Sequence, residues 1–387
     1  GRAYYTGGGH TKESYEEADF LKHLLSGIQY AIGENEELDY SKAKSKRTPE
    51  ENRFTKTTLS IGQFTEPTEM TILPNLDILV AQRRGEILHY NNATGELKEI
   101  VKLDVYWKTE VKGVNAEEGL MGLQKDPNYA TNNWVYAFYA PTGDKEINRL
   151  SRFKFANGVW DMASEQIILE LYSQRDICCH TGGSIAFDKD GNLFLSTGDN
   201  STPFNQPGSK YTLNGFAPLD GRDGNKQWDA RRSSGNSNDL RGKILRIKVA
   251  EDGSYTIPEG NLYPQGTEGT RPEIYAQGLR NPYRIAVDQK NGFLYWGEVG
   301  PDAANDSLDV KGPRGYDEVN QARKAGHFGW PYTIGNNFAY REFNYETGQT
   351  GQAFDIAGPE NNSPNNTGLK KLPPVEPAFI WYPYAVS

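Results

Sequence analysis

Four times along the chain a short apolar run meets a turn built on Asp, Asn or Gly and is answered by a second apolar run. Ile185-Ala186-Phe187-Asp188 precedes Gly191-Asn192-Leu193-Phe194, and Ile285-Ala286-Val287-Asp288 precedes Gly292-Phe293-Leu294-Tyr295. Looser copies are Ile72-Leu73-Pro74-Asn75-Leu76-Asp77-Ile78-Leu79-Val80, and Leu123-Gln124-Lys125-Asp126 leading to Trp134-Val135-Tyr136-Ala137-Phe138. Each copy reads as strand, tight turn, strand. The copies recur at multiples of roughly 50 residues, the period of propeller blades, each a small sheet that buries its faces only against its neighbours. The expectation is an all-β propeller over 56–387, interrupted chiefly at 199–240 by a Gly/Asn/Asp/Ser-rich loop over one face.

One stretch has a helical period instead. Between Glu17 and Ile32 the apolar residues Phe20, Leu21, Leu24, Leu25, Ile28 and Ile32 recur three and four apart, which predicts an amphipathic helix. Ahead of it Arg2-Ala3-Tyr4-Tyr5-Thr6 reads as a strand, followed by Gly7-Gly8-Gly9-His10. Residues 34–55 are polar and charge-dense and read as a linker. The expected organisation is therefore 1–33, a linker over 34–55, and the propeller over 56–387.

Composition agrees with short strands and turns. The 387 residues include 41 Gly, 21 Pro, 23 Tyr and 7 Trp, and only 36% are hydrophobic. The net charge of −9 argues against a nucleic-acid partner, which needs clustered Lys and Arg. No apolar run is long enough to span a membrane. The two cysteines, Cys178 and Cys179, are adjacent. They read either as two buried thiols or as a disulfide between neighbours, which would point to an oxidising compartment.

Candidate chemistry lies in five segments, all next to the repeats. Cys178-Cys179-His180-Thr181-Gly182-Gly183 places one of five histidines at the entry to a strand, where an imidazole can titrate near neutral pH. Gly278-Leu279-Arg280-Asn281-Pro282 offers the planar fork of Arg280 to a carboxylate or quinone oxygen. Trp296-Gly297-Glu298-Val299-Gly300-Pro301-Asp302 offers uncrowded carbonyls at Gly300 and Pro301 to a hard cation. The others are Tyr316-Asp317-Glu318-Val319-Asn320 with Gly326 to Tyr332, and Glu117-Glu118-Gly119-Leu120-Met121-Gly122-Leu123. Taken singly, each has an ordinary structural reading. Asp188-Lys189-Asp190-Gly191-Asn192 superficially suggests a calcium loop, but its flanking alternation reads as a hairpin turn. Asp220, Asp223, Asn225 and Asp229 could gather calcium, although a solvated polar loop is the default.

In their order, these segments resemble the soluble PQQ-dependent glucose dehydrogenases, the aldose sugar and glucose/sorbosone dehydrogenase family. The resemblance rests on Glu118-Gly119-Leu120-Met121-Gly122 with Asp126-Pro127-Asn128-Tyr129, His180-Thr181-Gly182-Gly183, Gly278 to Pro282, Gly300-Pro301, and Asp317 to Asn320 with Gly329-Trp330-Pro331. It implies a six-bladed β-propeller, incomplete at its C-terminal end, since the last blades' further Lys and Arg contacts to the cofactor find no counterpart before Ser387. It implies His180 as the general base on a sugar hydroxyl, with hydride passing to PQQ. Arg280 and Asn281 would hold the quinone oxygens, and Asp317 would lie near the cofactor. Gly300 and Pro301 would bind calcium through their carbonyls. Glu117 and Asp302 are the candidate substrate contacts. Glu117 replaces a glutamine of the sugar enzymes, and Cys179 replaces an acidic residue, so the orienting partner of His180 differs.

The resemblance further implies a sugar or related alcohol substrate, an electron acceptor such as a cytochrome, and a periplasmic or cell-surface location. Residues 1–33 resemble the last strand and helix of a trehalose-utilisation-type, amidotransferase-like domain, so the chain is expected to be part of a larger multidomain protein. A non-catalytic propeller binding carbohydrate or protein is the alternative, because fold does not fix function. A metal-dependent lactonase on the same architecture would recruit Glu117, Glu118, Asp302 and Asp317.

Overall fold

The computed structural model describes residues 13–32 and 54–384, and the chain divides into units 1–58 and 59–387. In the first unit the helix runs over Ala18–Ile32, where the periodicity places it. The expected strand at Arg2–Thr6, the glycine run with His10, and residues 34–53 of the expected linker lie outside the described residues.

The second unit is built of antiparallel sheets in blade order. The first is β1 (Pro67–Ile72), β2 (Ile78–Gln82), β3 (Glu86–Tyr90) and β4 (Leu97–Lys102). The second is β5 (Leu120–Lys125), β6 (Trp134–Tyr139), β7 (Ile147–Ala156) and β8 (Val159–Tyr172). The third combines β9 (Gly182–Phe187), β10 (Leu193–Thr197), β11 (Lys243–Val249) and β13 (Ile274–Gln277), with β12 (Tyr255–Thr256) on one side. The fourth is β14 (Pro282–Val287), β15 (Leu294–Glu298) and β16 (Tyr316–Ala322), closed by a strand at Ile380–Pro383; β17 (Gly326–His327) runs parallel to β13. This is a propeller arrangement. Four blade sheets are present among the described residues, not the expected six.

Each repeat read from the sequence is the first hairpin of one blade: β1–β2, β5–β6, β9–β10 and β14–β15. Local turn chemistry makes them. Asp188 accepts from the amides of Asp190 and Asn192 (2.9 Å each) and from the Asn192 side chain (2.7 Å). Asp288 does the same with Lys290 and Asn291. Both carboxylates are thus spent on their own turns, as Asx chemistry allows, and the hairpin reading holds over the calcium loop.

The core lies between blades, because residues alternate in direction along a strand. Leu193 and Leu195 pack with Tyr136, Phe138, Leu150 and Leu245 against the second blade. Phe194 and Ile244 point the other way and pack with Leu294, Trp296 and Phe328. The wider spacing between the β9 and β14 copies accommodates the long insertion after β10.

That insertion departs from the solvated loop the sequence suggests. Asp229, Ser233, Ser234 and Ser237 are fully buried. Asp220 is paired with Arg222 (2.6 Å) and Asn225, and Asp229 with Arg231 (2.8 Å) and Asn365 (3.1 Å). Asp223 is exposed. The four therefore do not assemble a cation site; arginines and amides already satisfy the buried carboxylates.

Candidate active site

The segment ahead of β9 enters the sheet through unusual backbone. His180 takes φ +61°, a left-handed conformation that β-carbon-bearing residues seldom adopt. A Cβ on Gly198 would collide with the His180 carbonyl, so glycine there permits the close approach of the two segments.

His180 is 5% exposed, and its Nδ1 lies 2.8 Å from Asp199 Oδ1. A carboxylate only accepts, so Nδ1 carries the proton and the neutral ring keeps its lone pair on Nε2. Among the described residues Nε2 has no hydrogen-bond partner, which leaves a base with a free nitrogen. Asp199 is fully buried and is held by Trp330 Nε1 (2.7 Å) and the Ser201 amide (2.8 Å). Burial alone would raise its pKa; attraction to His180 and Arg280, with the donated hydrogen bonds, holds it below the usual carboxylate range.

Arg280 is 6% exposed, yet no carboxylate among the described residues is in ion-pair reach of it. Its Nη1 donates to the Val299 carbonyl (3.0 Å), and the guanidinium stands 6.0 Å from the centre of the Trp330 ring. Its carbonyl accepts from the Asp199 amide (2.8 Å), which ties it to the His180 partner. Asn281 accepts from the Gly182 amide (2.9 Å), so the Arg280–Asn281 segment is tied to the His180 strand directly.

Behind this pair sits Glu298, which sequence reasoning missed as a site residue. Its Oε1 accepts from the backbone amides of Arg280 and Asn281 (2.7 Å for the latter), and its Oε2 from Trp296 Nε1 (3.3 Å). Burial first, then the charge of Glu318, pushes its carboxyl up to about 8. Burial pushes Glu318, which accepts from Asn320 (2.9 Å) and the Gly335 amide, up to about 7.

Gly300 donates its amide to Asp317 Oδ1 (2.8 Å), and a Cβ on Gly300 would strike the Tyr316 carbonyl. The Gly300–Pro301 turn and Asp317 are therefore one unit. Asp302 beside it is exposed. Glu117, half-buried, accepts from the His180 amide (2.8 Å) and so holds the histidine loop. Its neighbour Glu118 is paired with Arg175 (3.3 Å); burial nevertheless pushes its carboxyl up to about 7. Cys178 and Cys179 are joined by a disulfide, so the two-thiol reading does not hold.

The five sequence segments thus meet in one hydrogen-bonded region. Asp199 was the missed partner of His180. Register was its signal: Thr197 pairs with Gly182, and the same pairing continued by two residues sets position 199 opposite 180. The bulge between Leu195 and Thr197 hides that alignment from the apolar pattern.

The family model for Glucose / Sorbosone dehydrogenase matches residues 64–359. The aldose sugar dehydrogenase of Escherichia coli is 24% identical over 277 residues, covering 70% of this chain and 61% of that protein. Quinoprotein glucose dehydrogenase B of Acinetobacter calcoaceticus is 25% identical over 329 residues, covering 82% of this chain and 60% of that protein. Human Hedgehog-interacting protein is 26% identical over 210 residues, 50% of this chain and 26% of its own length. The chain therefore spans at most 61% of these relatives' lengths. Among solved structures, a Thermus thermophilus oxidoreductase described as a glucose dehydrogenase superposes with a TM-score of 0.52 at 27% identity, covering 71% of this chain and 66% of that one.

Proposed function

The chain belongs to the Glucose / Sorbosone dehydrogenase family, and on that premise we propose that it is a quinoprotein dehydrogenase that oxidises a sugar or related alcohol with PQQ and calcium. The observation that carries this reading is a buried, carboxylate-free Arg280 close to a histidine whose Nε2 is free and whose Nδ1 is fixed by Asp199. A buried guanidinium with no carboxylate in ion-pair contact is costly unless a ligand supplies an anion. PQQ, an anionic quinone, fits that demand, and a relative named as a quinoprotein supports it.

When bound, PQQ would supply the hydride-accepting quinone and calcium the charge that polarises it. The chain's own residues do the rest. His180 Nε2 takes the proton of the substrate's hydroxyl, and Asp199 holds the ring in the tautomer that allows it. Arg280 and Asn281 bind the quinone oxygens. Glu298 fixes the backbone of both. The carbonyls of Gly300 and Pro301, with the nearby Asp317 carboxylate, make an all-oxygen donor set of the kind calcium takes. Asp302, exposed beside that turn, contacts substrate. Glu117 faces it too, although its Oε2 is engaged by the His180 amide.

The periplasmic or cell-surface location and a cytochrome-like electron acceptor belong to the same proposal. The Cys178–Cys179 disulfide supports an oxidising compartment. Among the described residues no helix is long and apolar enough to cross a membrane.

The test is reconstitution with PQQ and calcium, followed by dye-coupled assay on a panel of aldoses and sugar alcohols. Turnover is expected, and His180→Ala should abolish it while PQQ still binds. No turnover with any substrate, or full activity in the variant, overturns the reading. A second reading, a non-catalytic propeller that binds a protein partner, is favoured by the match of half the chain to Hedgehog-interacting protein. Absence of PQQ binding would favour it.

A further inference from the structure

Cys178 and Cys179 have no part in the chemistry just proposed. Both are 6% exposed, and they are the only cysteines of the chain. Each sulfur and a carboxylate oxygen of Glu117 lie within 4.8 Å of one another. Among the described residues no other group of three His, Cys, Asp or Glu side chains converges in this way. Glu117 is the half-buried member, so an ion has an approach from its side.

As a disulfide the sulfurs hold no thiolate and make poor metal ligands. Reduction changes their chemistry without changing their place in the chain. The Sγ–Sγ bond breaks, each sulfur gains one electron and one proton, and an external dithiol supplies both pairs as it closes to its own disulfide. Two adjacent thiols then face a carboxylate. A soft divalent cation that displaces both thiol protons acquires two sulfur ligands and one oxygen ligand. Three protein ligands with an open fourth position is a familiar arrangement for zinc, whose bonds of about 2.3 Å to sulfur and about 2.1 Å to oxygen set ligand atoms roughly 3.5–3.8 Å apart in a tetrahedron. The disulfide holds the two sulfurs closer together than that, so after reduction they must move apart to admit an ion between them and Glu117. Thiolates select zinc or cadmium over calcium or magnesium, which take oxygen.

We propose that dithiol reduction converts Glu117, Cys178 and Cys179 into a binding site for a soft divalent cation, and that the oxidised chain does not bind one. The site goes beyond the quinoprotein reading. Because Glu117 also accepts from the His180 amide, occupation of the site reaches the histidine through a single hydrogen bond.

The test uses the full chain and Cd2+ as the probe. Protein is reduced with a small dithiol, freed of it by gel filtration without oxygen, and titrated while the ultraviolet thiolate-to-cadmium charge-transfer band is followed. With only two cysteines present, any such band belongs to this site. The expected result is a band saturating at one Cd2+ per chain in reduced protein, and none in untreated protein. Glu117→Gln should weaken binding at least about tenfold, and Cys178→Ser and Cys179→Ser should each remove the two-sulfur band. Reduced protein that keeps its near-ultraviolet circular dichroism but gives no band at one equivalent overturns the proposal. So does loss of that spectrum on reduction, or wild-type affinity in Glu117→Gln. Turnover is not measured, so failure here and failure of the quinone reading are separate results.

Discussion

Glu298 gives the sharpest test of how the site is held together. The perturbation is Glu298→Gln. Burial and the neighbouring Glu318 push the Glu298 carboxyl up to about 8, whereas in the unfolded chain it loses its proton near about 4.3. Between those values the folded protein holds a proton that the unfolded chain has released. Raising the pH through this window therefore favours unfolding, by about 1.4 kcal/mol per pH unit for one group. From pH 5 to pH 7 the loss is about 3 kcal/mol, or on the order of 4 °C in unfolding midpoint for a unit of this size.

Lys243 does not disturb that window. Burial pushes its ammonium down to about 7, so its own effect, stability rising with pH, begins only above that value. Glu118 and Glu318, both pushed up to about 7, add to the fall and remain in the variant. A glutamine keeps one carbonyl oxygen for the Arg280 and Asn281 amides but turns an amide toward Trp296 Nε1. That costs about 1 kcal/mol at every pH and changes no slope. Thermal unfolding of both proteins at pH 5, 6 and 7, followed by circular dichroism, should show midpoints that fall less steeply in Glu298→Gln, by about 2 °C per pH unit. Parallel curves would refute the assignment of a protonated, half-buried Glu298.

Three further outcomes follow from the geometry. Asp199→Asn should lower turnover about 10²–10⁴-fold, the usual worth of a positioned base, with PQQ affinity kept; dye-coupled kinetics beside a PQQ titration check it. Arg280→Met removes a buried cation that lacks a carboxylate, so the ligand-free protein should melt at the same temperature or higher while PQQ binding, measured by calorimetry, is lost. Arg175→Met leaves Glu118 alone at 2% side-chain exposure and should cost about 3–5 kcal/mol by urea unfolding at pH 8. The cost should be smaller at pH 6, where a carboxyl pushed up to about 7 is protonated.

The blades were legible because their signals are local. Asp188 and Asp288 build turns from atoms within four residues, and Leu193, Phe194 and Leu195 alternate between two cores without reference to distant sequence. The insertion was not legible, because what buries its polar residues lies far along the chain. Asp229 meets Asn365, Asn361 donates to the carbonyls of Arg231 and Gly235, and Asn236 donates to Thr367. A run of Gly, Asn, Asp and Ser looks solvated until those partners arrive. His180, Arg280 and Asn281 could be picked out by residue type and motif order. Asp199 and Glu298 could not, since their importance lies in which atoms face them after a strand bulge and a turn.

A positional rule accounts for the convergence. In each blade the residues just before the first strand and just after the second share one end of the sheet. Glu117 and Glu118 precede β5, Cys178 to His180 precede β9, and Arg280 and Asn281 precede β14; Asp199 follows β10, and Gly300 and Pro301 follow β15. In the first blade the same two positions hold Glu66, before β1, and Arg83, after β2, and these pair with each other at 2.8 Å. There the charges cancel and the end of the blade is structural. In the third blade the pairing is a histidine with a carboxylate, which leaves one nitrogen free, and in the fourth Arg280 finds only the Val299 carbonyl. On the proposed function, reactivity at this end of the propeller comes from blades whose paired positions are left incompletely satisfied, and substituting an acidic residue at Val299 should close the fourth blade as Glu66 closes the first, costing PQQ affinity while raising the ligand-free melting temperature.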